Sequence, residues 1–133
     1  MGEWKSPDDC KYTKTDEWIR VEGDEAVIGI SDYAQDHLSD LVFVDLDDAE
    51  VGASLSKGSA FAEVESVKAT AEVAAPVSGE VIAVNEALND APETINADPF
   101  GDGWLVRIKL ADASELDDLM DAAAYQAYCD ERG

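Results

Sequence analysis

The chain has 133 residues, 46% of them hydrophobic, enough for a core that takes roughly two-thirds of the unfolded surface out of water. Its 31 acids against 9 bases give a net charge of −22, which repels phosphate backbones and argues against nucleic acid as a partner. No run reaches the roughly 18 apolar residues of a membrane span, so no membrane association is expected.

The acids are spread along the chain rather than gathered in a tail, so they read as a solvated surface. Such a surface fits a halophilic organism, whose salty cytoplasm screens most of the self-repulsion. The stretch from Met1 to Asp9 shows no charged leader followed by an apolar block, and a soluble, cytoplasmic monomer is expected. Two cysteines, Cys10 and Cys129, and one histidine, His37, supply neither metal-ligand spacing nor a Cys/His nucleophile. The cysteines read as buried or idle, with a bridge between them as the alternative, and His37 as a helix-surface residue.

In chain order, Trp18 to Val21 and Ala26 to Ile30 flank a turn at Gly23-Asp24 and predict a hairpin. Ser31 offers an N-cap to a short helix over 32–38, and Leu41 to Leu46 resumes as a strand. Turn residues then recur at short intervals from Gly52 to Gly103, the pattern of a small sandwich or barrel. Gly101-Asp102-Gly103 lacks the flanking strand and helix of a dinucleotide loop and reads as a turn. At the far end, Ser114 with Asp117 three residues on predicts the start of a helix whose apolar spacing runs from Leu116 to Tyr128. No linker divides the chain, so residues 1–133 read as one mainly β domain. Trp4, Trp18 and Trp104 read as core or partner-facing aromatics, and Asp8-Asp9, Asp47-Asp48 and Asp117-Asp118 as solvated pairs.

The stretch from Phe61 to Leu88 holds the one residue that stands out. Strands are predicted over 61–67 and 73–77, with Lys68-Ala69-Thr70-Ala71 as the polar centre of a type I turn between them. Lys68 then sits at an exposed tip, reachable by another protein. Glu63, Glu65 and Glu72 around it keep its amine charged and disfavour it as a nucleophilic catalyst. Taken alone, such a lysine is a solubilising charge.

Its context is more specific. "VESVKA" at 64–69 is followed by "APVSGEVIAVNEAL" at 75–88, and these accompany "YTKTDEWI" at 12–19, "IGISDYAQDHL" at 28–38, "LVFVDL" at 41–46, "PETIN" at 92–96 and "DPFGDGWLVRIKL" at 98–110. With these segments the chain resembles the H proteins of the glycine cleavage system, lipoyl carriers of the lipoyl/biotinyl barrel-sandwich hybrid fold. The resemblance implies a barrel-sandwich hybrid with a short helix after the N-terminal hairpin and a C-terminal helix. It implies lipoate in amide linkage on Lys68, and a carrier rather than an enzyme. The lipoyl arm would take an aminomethyl group from a pyridoxal-phosphate glycine decarboxylase to a tetrahydrofolate-dependent aminomethyltransferase. Dihydrolipoyl dehydrogenase would reoxidise it, and a lipoate ligase or lipoyl-forming enzyme would attach it.

The resemblance also implies a cleft for the loaded arm formed by Glu17, Glu72 and Thr15; the residues alone read Glu17 equally well as a strand-surface acid. Departures from the family pattern are Asp16 in place of histidine, Glu72 in place of aspartate, and Ser39 in place of glycine. Biotin is disfavoured, because Val67 and Ala69 flank the lysine where biotin domains have methionines. A lipoyl relay protein that donates its arm to other enzymes, and a non-carrier β-sandwich with an acidic binding face, are the competing expectations.

Overall fold

The computed structural model describes residues 4–132. Among these residues nine strands form two antiparallel sheets. β1 (Lys11–Tyr12), β2 (Glu17–Glu22), β3 (Glu25–Ile30), β5 (Ser54–Leu55), β8 (Gly79–Val84) and β9 (Val106–Leu110) build a six-stranded sheet in the order β1-β2-β3-β9-β8-β5. β4 (Leu41–Asp45), β6 (Ala60–Ser66) and β7 (Thr70–Ala74) build a three-stranded one in the order β4-β6-β7. Neither sheet closes into a barrel among the described residues.

The predicted N-terminal hairpin is present. Glu22 pairs with Glu25, so Gly23 and Asp24 alone make the turn, and Gly23 takes the φ of +71° that such a turn favours. Ser31 caps α1 (Asp32–Leu38) as expected, its hydroxyl accepting from the Ala34 amide at 3.1 Å. Within the hairpin Trp18 lies opposite Gly29, where a Cβ would come within 2.7 Å of the indole ring. The missing side chain is what lets the indole lie flat on β3.

Two predicted elements are displaced. The strand expected over 73–77 is β7, which begins at Thr70, because Ser66 closes the preceding turn earlier than propensity suggests. The helix expected from Ser114 starts at Ala122. Residues 113–118 form a short 3₁₀ segment capped by Asp112, whose carboxylate accepts from the Ser114 amide at 3.0 Å. α3 (Ala122–Arg132) follows, with the Asp121 carboxylate accepting from the Ala124 amide. The break between them has a tertiary cause. Met120 bridges to Tyr12 through paired backbone bonds of 2.9 Å, so the chain is extended there. Glu115 is drawn off to the loop after β7, where it accepts from the Ser78 amide and hydroxyl at 2.7 and 3.0 Å.

Apolar residues of both sheets share one core, with Ile28, Val81 and Ile108 from the larger and Val44, Phe61 and Val73 from the smaller. A second cluster fastens α3 to the hairpin. There Tyr12 stacks on Tyr125 at 4.5 Å, and Trp18 is fully buried with its indole N–H donating to the Pro99 carbonyl at 3.0 Å. Trp4 and Trp104 are partly buried against the same cluster. Cys10 and Cys129 are buried in it as free thiols, and burial pushes the Cys10 thiol up to about 12, far from reactive. The paired aspartates are exposed, as is His37, which stacks on Tyr33 at 4.0 Å.

Candidate functional site

β6 and β7 form the hairpin that bears the lysine. Glu65 pairs with Thr70, leaving Ser66, Val67, Lys68 and Ala69 as the loop. No glycine or proline shapes this loop; Ser66 does. Its hydroxyl accepts from the amides of Lys68 at 3.2 Å and Ala69 at 3.0 Å and donates to the Ala69 carbonyl at 3.1 Å. The Ser66 amide adds a bond of 2.7 Å to the same carbonyl. Lys68 is exposed on this pinned loop. Ser66 was missed in the sequence, although a serine two residues before the loop's exposed centre is the local sign of such a turn.

β7 is an edge strand, and its free side faces a cleft of about 210 Å³. Thr15, Glu17 and Glu72 line this cleft together with Tyr33 and Leu38 of α1 and Ala71 of β7. The three residues singled out in the sequence are therefore brought together. Lys68 stands outside the lining, four residues from Glu72, which the extended reach of the chain limits to about 14 Å.

Glu17 is buried at 2% exposure, and the reading of it as a strand-surface acid is corrected. It sits at the start of β2, where the chain re-enters the sheet through Asp16 at φ +75°, and its side chain turns inward. The hydroxyls of Thr13 and Thr15 donate to Oε1 at 2.6 and 2.5 Å, and the Ala74 amide donates to Oε2 at 3.2 Å. That last bond satisfies an otherwise unpaired N–H on the β7 edge. Burial raises the Glu17 pKa above its ordinary value, the three donors oppose the shift, and the Asp16 charge adds to it. A second cavity of about 230 Å³ also reaches Glu17 and is lined by Thr13, Lys57 and Met120 among others. Thr13 was not singled out, yet hydroxyls four and two residues ahead of an acid are a legible sign of a held carboxylate.

Asp16 borders the cleft, but its carboxylate is engaged by α3. Tyr125 donates to it at 2.8 Å, and Arg132 at 2.5 and 3.2 Å. Glu72 is exposed on β7, paired with Glu63.

An exposed lysine on a pinned hairpin beside a cleft that contains a buried carboxylate, on an open two-sheet scaffold, places the chain in the class of small two-sheet β domains with an exposed hairpin lysine. The comparisons make this specific. The family model described as "Glycine cleavage H-protein" matches residues 10–132. The chain is 55% identical over 126 residues to the glycine cleavage system H protein of Idiomarina loihiensis, covering 94% of this chain and 96% of that one. It is 58% identical over 118 residues to that of Beijerinckia indica, covering 89% and 94%. The crystal structure of the H protein from Mycobacterium marinum superposes with a TM-score of 0.82 at 38% identity, covering 96% of this chain and 98% of that one. The chain belongs to the glycine cleavage H-protein family, the lipoyl-carrying component of that system.

Proposed function

We propose that Lys68 is the residue that bears lipoate, and that Thr15, Glu17 and Glu72 form the cleft that receives the loaded end of the arm. The observation that carries this reading is geometric: an exposed amine on a pinned turn belongs to the same hairpin whose edge strand borders the cleft and donates to its buried carboxylate. The residues fit the group. The Lys68 side chain is free to be acylated, and the cleft offers the apolar walls of Leu38, Ala71 and Val73 to a hydrocarbon chain. When attached, lipoate supplies a disulfide that opens to take up the one-carbon amine and is afterwards re-formed by oxidation.

Everything else is the work of this chain's side chains. Glu17 is an acceptor for three donors and lies at the cleft wall, where the penalty of a buried negative charge is relieved by a cation brought alongside. A cationic amine entering the cleft is that cation. Water, which would hydrolyse the cargo, is displaced by the apolar lining. Glu72, on the exposed rim, adds a second carboxylate over the entrance. In this reading the chain is the carrier component, and its partners make and break the bonds of the cargo. Its partners in this reading are the pyridoxal-phosphate decarboxylase, the aminomethyltransferase and dihydrolipoyl dehydrogenase, with a lipoate-attaching enzyme upstream. We further place the protein, as a monomer, in a high-salt cytoplasm, supported by the net charge of −22.

Intact mass measurement on protein from its native host tests the attachment. A lipoyl-sized increment that maps to Lys68 and is absent from Lys68→Arg is expected; an unmodified lysine at that position overturns the reading. Reconstitution with glycine, decarboxylase and transferase then separates service in glycine cleavage from donation of the arm to other enzymes.

A further inference from the structure

The outer face of the β4-β6-β7 sheet carries two features that meet the cleft only at Glu72, on its rim. β4 is bulged: Leu41 pairs with Ser66 and Phe43 with Glu65, so Val42 is an extra residue between them. The bulge breaks the alternation of the strand. Leu41 and Val44 are 3% and 2% exposed, whereas the neighbours Val42 and Phe43 are both turned out, at 52% and 49%. Val67, 70% exposed, joins them, because its amide donates to the Asp40 carbonyl at 3.2 Å and so ties the lysine turn to the start of β4. Exposed apolar residues are ordinarily scattered singly; three at one end of a sheet mark a surface that another molecule covers.

The second feature is a row of like charges. Asp45 lies opposite Glu63, and Glu63 opposite Glu72, an arrangement that costs stability in the isolated chain. Glu65, opposite Phe43, extends the acid toward the apolar end. The complement to this face is an apolar recess bordered by lysine and arginine.

The position of the patch selects among partners. Enzymes that act on the far end of an arm can stand off by its length. The enzyme that attaches the arm must bring its acyl carbon to Lys68 Nζ itself, and therefore has to cover the turn and its neighbour Val67. We propose that Val42, Phe43 and Val67, with the carboxylate row Asp45–Glu63–Glu72, form the docking surface for the lipoate-attaching enzyme, which presents an apolar recess within a basic rim. This rests on the reading of Lys68 as the lipoyl site. In the step that the docking serves, neutral Nζ attacks the acyl carbon of a lipoate activated as a mixed anhydride with a phosphate. The C–N bond forms, the C–O bond to the phosphate breaks, the phosphate leaves with the electron pair, and one proton passes from nitrogen to solvent.

The test uses the full unlipoylated chain, a purified ATP-dependent lipoate ligase, lipoate and ATP, with lipoylation followed by intact mass. Phe43→Ser combined with Val67→Ser should lower kcat/KM for attachment by about tenfold or more, mainly through KM, while Phe43→Leu stays near wild type. Glu63→Gln combined with Asp45→Asn should flatten the salt dependence of the same rate. Acylation of Lys68 by a small activated ester, read by peptide mass, should be equal in all variants, and matching circular dichroism spectra would confirm that each is folded. Three outcomes overturn the proposal. A wild type that is lipoylated no faster than the serine variant refutes the docking surface while leaving the carrier reading intact. Wild type that the ligase leaves unmodified at Lys68 removes both. Equal lipoylation, with loss in the serine variant of loading by the decarboxylase or of a dimer seen in sedimentation, assigns the face to that enzyme or to a second copy of the chain instead.

Discussion

Glu17 carries two predictions at the scale of a single residue. Among the described residues its carboxylate has three hydrogen-bond donors and no ion pair. Burial raises its pKa above the ordinary value of 4.5, so the folded protein holds this proton more tightly than the unfolded chain does. The stability it contributes is then full below the unfolded pKa and is lost as pH rises through the folded one. Glu17→Gln, neutral at every pH, has no such loss. Urea unfolding of the two proteins from about pH 4 to about pH 7 should show the stability difference moving in favour of the variant as pH rises, whereas parallel curves would mean that burial leaves the carboxyl unshifted. The second prediction concerns the cargo. Glu17→Ala should release the loaded group from the isolated carrier faster than wild type, and an unchanged release rate would remove Glu17 from the cleft. In the sequence the family resemblance singled this residue out, whereas the residues alone read it equally well as a strand-surface acid. Its burial depends on Ala74, 57 positions away, and no local pattern encodes that contact.

At the scale of elements, α3 acts as a clamp on the loop that delivers Glu17. Arg132 lies between the rings of Tyr33 and Tyr128, 4.3 and 4.0 Å from their centroids, and its guanidinium is forked onto Asp16. Tyr125 donates to the same carboxylate and shares a bond of 2.6 Å with Ser31, the cap of α1. Asp16 thus joins α3, α1 and the start of β2. The Asp16 side chain is 16% exposed and that of Arg132 30%, so the pair is screened less than a surface one. Arg132→Ala should cost about 1–2 kcal/mol in urea unfolding, most of it recovered by Arg132→Lys only if charge rather than ring stacking dominates. Stability equal to wild type would show that the clamp holds nothing. The sequence signalled that a C-terminal helix exists, since apolar spacing is a local property. It misplaced the start because the Met120–Tyr12 bridge holds the chain extended just ahead of Ala122.

At the scale of the whole molecule the decisive quantity is charge. Nine bases cannot pair 31 acids, and apart from Arg132 with Asp16 the ion pairs among the described residues, such as Arg107 with Glu22 and Glu25 or Lys57 with Asp118, sit at the surface. The surplus repels itself through the fold, and the reach of that repulsion shrinks from about 10 Å at 0.1 M salt to about 3 Å at 1 M. The Tm should therefore climb by several degrees between dilute buffer and molar potassium chloride. A Tm indifferent to salt would sink the proposed high-salt habitat while leaving the carrier function untouched.

What the sequence by itself determined are features closed within a few residues of backbone. Gly23 makes the hairpin turn, Ser31 caps the short helix, and a polar centre puts Lys68 at a loop, because each rests on bonds between near neighbours in the chain. Tertiary structure alone decided the inward turn of Glu17, the cleft that gathers Thr15, Glu17 and Glu72 against α1, and the outward pair Val42 and Phe43 at the β4 bulge. Each of these depends on which distant strand lies alongside, and burial, with the desolvation it imposes on a charge, has no meaning until the two sheets have met.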